Sequence, residues 1–200
     1  MIAQQGMVVI LAGGAGRRIG GNKPFYVFNG RPLIEWVLDA LRPQASRLIL
    51  NAGPQNSALA GALARLGIGL CFDTPRFEGL GPLSGVHAAM LTAQGQGLDV
   101  VITAPCDMPN LPSNMIGTLL DSHGQDVDVT YFHGARDYPL CAAWSIALRL
   151  ALEAALETSR ESGGLSVMQF LADCRTRRIE IDDDRAFVNL NAPVKVAQAG

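Results

Sequence analysis

The feature that most constrains the fold is a series of short, unbroken apolar runs. Each is closed by glycine or a polar residue and followed by a stretch that reads as a helix. Residues 7–11 (MVVIL) run into glycines, 47–50 stop before Asn51, 68–72 end at Asp73, and 100–103 (VVIT) end near Asp107. Between them, 32–41, 56–66 and 82–93 read as helices. Pro32 and Pro82 sit at first-turn positions, where a missing N–H costs nothing. A strand that is apolar on both faces must be covered on both faces, so the pattern predicts a parallel sheet between helical layers. Right-handed crossovers make this a doubly wound, mostly parallel, Rossmann-like α/β sheet. Ligands of such sheets lie beyond the carboxyl ends of the strands. Those ends carry the glycine-rich stretch 13–21, Asn51, Asp73 and Asp107.

The second half is less regular. Strands are expected at 127–132, 139–144 and 177–181, and helices at 146–156 and 165–171. Residues 187–191 alternate apolar and polar, and Pro193 opens a last helix. No Ser/Gly-rich linker or change of composition interrupts the chain, so 1–200 reads as one domain. With 48% apolar and 17% charged residues, the composition fits a compact globular domain and argues against disorder. A net charge of −2 gives no nucleic-acid footprint, so any phosphate must be held by local geometry. The N-terminus has no basic region of a signal peptide, and no stretch reaches the ~20 apolar residues of a membrane span. The expected location is cytoplasmic. Cys71, Cys106, Cys141 and Cys174 form no CxxC pair and read as reduced core cysteines. His87, His123 and His133 have no metal spacing, Ser84 lacks the GxSxG context of a hydrolase, and Asp182, Asp183 and Asp184 read as a solvated loop.

The segment LAGGAGRRIGGNK (11–23) follows the first strand directly. Residues without a Cβ let backbone N–H groups approach a polyphosphate, and Arg17, Arg18 and Lys23 add positive charge beside them. A dinucleotide fingerprint fails on spacing: Gly14, Gly16 and Gly20 have one residue too many, and Asn51 stands where an acidic ribose reader belongs. A P-loop fails as well, since Asn22 precedes Lys23 and Pro24 follows it.

LAGG-x-x-RR-x-GG-x-K after an N-terminal strand resembles the signature loop of the sugar-nucleotide and cofactor nucleotidyltransferases. The double glycine resembles the molybdenum cofactor guanylyltransferase branch in particular. Three further segments resemble that family in order: GPLSGVHAAM (81–90), APCDMPNLP (104–112) and FVNLNAP (187–193). SGGLSVMQFL (162–171) resembles its late helix. There are departures. The loop is one residue shorter before Lys23, the acidic residue preceding that lysine is gone, and NAGPQ after the second strand lacks an arginine. Asp137 and Tyr138 stand where relatives often have a histidine.

The resemblance implies GMP transfer from GTP to the terminal phosphate of molybdopterin (molybdenum cofactor), with pyrophosphate released and Mg²⁺ as cofactor. Other cofactor-biosynthesis proteins are implied as transient contacts, but neither nucleic acid nor membrane. Residues 1–110 then form the nucleotide-binding half and 111–200 the acceptor side. Lys23, with Arg17 or Arg18, would hold the β/γ-phosphates. Asp107 would hold the metal, as a hard carboxylate at a strand end suits Mg²⁺. Leu11, Ala12, Gly13 and Gly14, with Asn51 and Asp73, would contact guanosine, and Gly81 would open a helix toward the anion. Asn191 would supply a metal oxygen and Asn189 a hydrogen bond to substrate, unless both simply form the turn before Pro193. Two other readings stay open: a CTP-using or sugar-phosphate nucleotidyltransferase, and a nucleotide-binding regulatory protein on a decayed transferase scaffold.

Overall fold

A computed structural model describes residues 6–14 and 22–190. The chain enters through β1 (Gly6–Leu11). After a single turn at Lys23–Phe25 come the two-residue strands β2 (Val27–Phe28) and β3 (Arg31–Pro32), then α1 (Leu33–Leu41) and β4 (Leu48–Asn51). There follow α2 (Ala58–Ala64), β5 (Gly69–Cys71), α3 (Pro82–Gln94) and β6 (Val100–Pro105). The remainder is α4 (Met115–Ser122), β7 (Val129–His133), β8 (Asp137–Ser145), α5 (Arg149–Ser159), α6 (Val167–Leu171) and β9 (Thr176–Glu180).

Seven strands make one sheet in the order β5-β4-β1-β6-β8-β7-β9, and β2 and β3 pair separately as an antiparallel hairpin. From β5 to β6 all neighbours are parallel. Strand β8 runs antiparallel to both β6 and β7, while β9 pairs parallel to β7. The mostly parallel α/β sheet expected from the apolar runs is therefore present, with one reversed strand inserted. Hairpin β2–β3 and helix α4 were not anticipated. The helix expected at 146–156 starts later: Ile146–Leu148 is a 3-10 turn, opened by the Ser145 hydroxyl accepting from the Ala147 N–H at 3.3 Å, and α5 begins only at Arg149. Beyond the 3-10 turn Asp184–Phe187 the chain is irregular to Leu190, and the helix expected at Pro193 lies outside the described residues.

Strand alternation divides the core. Val8 and Ile10 point to one face, where they meet Ile34 and Leu38 of α1, Leu63 of α2, and Met115 and Leu119 of α4. Met7, Val9 and Leu11 point to the other, against Val86 and Met90 of α3, Leu152 of α5 and Phe170 of α6. Helix α3 is buried on almost every side because α5 packs over it, which accounts for its lack of a polar stripe. Its buried Ser84 is satisfied by donating to the Phe77 carbonyl at 2.6 Å. No helix among the described residues is long and apolar enough to cross a membrane.

The reversed strand is bolted in place by a polar chain. Trp144 Nε1–H donates to Thr103 Oγ1 at 2.9 Å, and the Thr103 hydroxyl donates to the Leu140 carbonyl at 2.8 Å. Both Trp144 and Thr103 are fully buried. Trp144→Phe removes the donor and leaves a void beside a buried hydroxyl. It should lower stability by about 2 kcal/mol, seen as a lower urea midpoint with the slope unchanged. A midpoint equal to that of the parent protein would mean that this chain does not help to hold β8.

Candidate active site

In a doubly wound sheet the crevice opens where successive crossovers depart in opposite directions. Here that point lies between β1 and β6: from β1 the chain proceeds to β4 and β5 on one side, then returns to β6 on the other. A cleft of about 750 Å³ lies there, across the carboxyl ends of these strands. Leu11, Gly13, Gly14, Lys23, Asn51, Asp73, Gly81 and Asp107 all line it. Ala12 does not. It is buried, with its N–H donating to the Asn51 carbonyl at 2.9 Å, because alternation turns it into the core beneath the cleft floor. Arg17, Arg18 and Asn191 lie outside the described residues.

The first turn is shaped by a contact between two backbones. A Cβ on Gly13 would fall 2.1 Å from the Gly53 nitrogen, and Gly53 itself has φ +68°, so neither position accepts a side chain without displacing the main chain. Next to it, the buried Asn51 donates its amide to Asp73 Oδ1 at 2.9 Å. Gly85 on α3 leaves room for this arrangement, since a Cβ there would lie 2.6 Å from Asn51 Oδ1. Burial pushes the Asp73 carboxyl above the ordinary range, and the Asn51 hydrogen bond only partly offsets it. This end of the cleft thus presents an amide–carboxylate pair of fixed orientation.

The middle of the cleft carries opposite charges. Lys23 stands on the 3-10 turn whose Pro24 is buried, and its ammonium pairs with the Asp107 carboxylate just beyond β6. The Asp107 side chain is only 5% exposed and that of Lys23 20%. The C-terminal segment is tied down beside them by the Leu190 N–H donating to the Asp107 carbonyl at 3.0 Å. Phe187 anchors that segment in the core, 4.9 Å from the Phe132 ring and 5.0 Å from Tyr138. The anchor puts Asn189 on the cleft wall with its Oδ1 buried and without a hydrogen-bond partner among the described residues. A carboxylate and an orphaned amide oxygen are hard donors that suit a small divalent cation. Among the described residues no group of three or more His, Cys, Asp or Glu could hold a metal, and a cation that takes its remaining ligands from phosphate and water needs no such group. Burial pushes the adjacent Cys106 thiol up to about 12, so it stays neutral.

A family model describing the MobA-like NTP transferase domain matches residues 8–176. The chain belongs to this family. It is 36% identical to a molybdenum cofactor guanylyltransferase of Cereibacter sphaeroides over 96% of this chain and 93% of that one. It is 30% identical to the enzyme of the same name from Aliivibrio fischeri (strain MJ11), over 96% and 94% of the two chains. A solved structure of molybdopterin-guanine dinucleotide biosynthesis protein A from Archaeoglobus fulgidus has the same fold, with a TM-score of 0.76 at 22% identity, covering 94% of this chain and 93% of that one.

Three residues that the sequence does not mark shape this MobA-like fold around the cleft. Gly53 and Gly85 matter through what they touch across the fold, and nothing in NAGPQ or GPLSG marks those contacts. His87, taken as packed or at the surface, is buried edge-on to Phe77 with ring centroids 5.1 Å apart, and burial lowers its pKa. The Lys23–Asp107 pair makes a prediction about stability alone. Lys23→Ala leaves a buried carboxylate without that partner and should cost about 2 kcal/mol. Asp107→Asn in the Lys23→Ala background should cost far less than in the parent protein. Equilibrium unfolding of the four proteins measures the coupling, and simple additivity would show the two charges to be independent in solution.

Proposed function

We propose that this MobA-like transferase moves GMP from GTP to the terminal phosphate of molybdopterin, or of the molybdenum cofactor, with Mg²⁺ and release of pyrophosphate. The observation that carries the reading is the placement of Lys23 and Asp107 across from the glycine turn, in a cleft whose other end is closed by the Asn51–Asp73 pair. The likeness to guanylyltransferases supports the choice of base and acceptor.

The acceptor is a phosphate monoester, already anionic, so no strong base and no protein nucleophile is needed. One of its oxygens bonds to the α-phosphorus of GTP as the bond from that phosphorus to the oxygen bridging the β-phosphate breaks. That oxygen leaves with pyrophosphate. The protein supplies position and charge. The Lys23 ammonium holds the leaving phosphates, assisted by Arg17 or Arg18. The backbone of Leu11, Gly13 and Gly14 lets guanosine phosphate lie close to the main chain. The Asp73 carboxylate accepts N–H groups from the guanine edge while Asn51 fixes its orientation. Asp107, with the Asn189 amide oxygen or Asn191, would hold Mg²⁺, which when bound supplies Lewis-acid stabilisation of charge on the phosphates. Residues 1–110 then take the nucleotide and 111–200 the acceptor.

Purified protein incubated with molybdopterin, Mg²⁺ and each nucleoside triphosphate in turn should release pyrophosphate with GTP and little with CTP, ATP or UTP. EDTA should stop the reaction. Asp107→Ala should lower turnover by about a thousandfold while leaving a cooperative unfolding transition. A preference for CTP would move the chain to a cytidylyl reading, and near-normal turnover by Asp107→Ala would remove that residue from the site.

Guanine recognition by Asp73 requires the ionised carboxylate. With its pKa raised by burial, affinity for GTP should begin to fall on acidification at a higher pH than an ordinary carboxylate would cause. In Asp73→Asn this acid limb should vanish and affinity should be low at every pH. Retention of the limb in that variant would assign it to another group.

A further inference from the structure

Strand order sets out the cleft as a line. Asp73 follows β5, Asn51 ends β4, the glycine turn follows β1, Asp107 follows β6, and the start of β8 lies next, on the side away from the base. With neighbouring strands about 4.8 Å apart, β4 and β6 are separated by about 10 Å. On the function proposed above, guanosine and the reacting phosphate take that span, which leaves the β8 end for the acceptor. Because β8 is antiparallel, its first residues project past the carboxyl end of β6, so the tip of the β7–β8 hairpin overhangs the cleft.

That tip is firmly held. His133 pairs with Asp137 across it, with Nδ1 2.7 Å from the carboxylate, and the Gly134 N–H donates to the Arg136 carbonyl at 3.0 Å. The Asp184 carboxylate, from the C-terminal segment, accepts the Ala135 N–H at 2.8 Å. Arg136 is exposed, lines the cleft, and lies over the buried face of Tyr138 with its guanidinium carbon 5.2 Å from the ring centroid. Of the described residues lining the cleft, only Arg136 and Lys23 are cationic, and Lys23 already faces Asp107. Among the described residues Arg136 forms no ion pair. Of the acidic groups beside it, Asp137 is engaged by His133 with Arg178 at 3.6 Å, and Asp184 accepts the Ala135 N–H through Oδ2 while its buried Oδ1 has no hydrogen-bond partner among the described residues; neither carboxylate pairs with Arg136. A guanidinium uncommitted to any carboxylate, on a braced loop at the rim of an otherwise largely apolar wall, matches an anionic oxygen ligand.

We infer that Arg136 is a specificity residue for the acceptor, binding an anionic group of the phosphorylated pterin at the β8 end of the cleft. This rests on the transfer reaction proposed above.

The test measures equilibrium binding of molybdopterin and of GTP separately, and then GMP transfer, for the parent protein, Arg136→Ala and Arg136→Lys. Arg136→Ala should weaken molybdopterin binding about 10- to 100-fold and raise its KM alike. GTP binding should change less than about twofold, and thermal unfolding should fall by no more than a few degrees, since the exposed side chain contributes little beyond its contact with the Tyr138 ring. Arg136→Lys should recover part of the loss, because the charge returns without the planar fork. Unchanged molybdopterin binding in Arg136→Ala overturns the inference, and so does an equal loss for GTP, which would place the residue on the triphosphate. If the parent protein binds molybdopterin through Arg136 but transfers no GMP, the proposed reaction fails while the acceptor site stands. If it binds no molybdopterin, both fall.

Discussion

Everything at the site depends on the parallel pairing of β1 with β6. Six consecutive residues match, from Gly6 with Val100 to Leu11 with Pro105, so the two strands end level. The glycine turn and Asp107 therefore leave the sheet side by side, although they are far apart in the chain. A slip of one residue would turn Met7, Val9 and Leu11 to the wrong layer and expose the apolar set of one face. The core thus sets the register, and the register brings a backbone cradle and a carboxylate together. Function at this cleft is a by-product of burying side chains that take no part in the chemistry.

The local polar arrangements obey the same logic of enforced proximity. Gly13 and Gly53 touch because β1 and β4 are adjacent and both turns leave at the same level. Asn51 reaches Asp73 because β4 and β5 pair with Asn51 opposite Cys71. Phe187, wedged against Phe132 and Tyr138, brings a segment from near the end of the chain alongside Asp107. Each contact closes a long loop, and the entropic cost is borne by apolar packing that would be needed in any case.

What could be read from the sequence follows from the range of the forces involved. Runs such as MVVIL and VVIT declare buried strands by themselves, and a fold rule then puts Asn51, Asp73 and Asp107 at one edge. The direction of β8 could not be read that way, because alternation looks the same in either sense along a strand. Helix α4 went unseen because MIGTLLDS holds a glycine and a threonine that weaken the helical signal. The reach of Lys23 to Asp107 was not legible either, because it depends on where a buried Pro24 fixes a turn. Gly85 looked like part of a helix start, and only the three-dimensional contact shows that a methyl group there would strike Asn51. The family resemblance supplied guanine and pterin, for which spacing alone offered no argument.

The single antiparallel strand has an evolutionary corollary. A parallel strand arrives by a long crossover, so altering it disturbs a helix and a layer of core. Strand β8 arrives by a three-residue hairpin tip, so a change there disturbs the contacts that brace the tip and leaves the helices and core layers in place. The rim of the cleft on that side can therefore diversify while the turns of β1, β4 and β6 stay fixed. A change at that rim leaves untouched the register that aligns the glycine turn with Asp107.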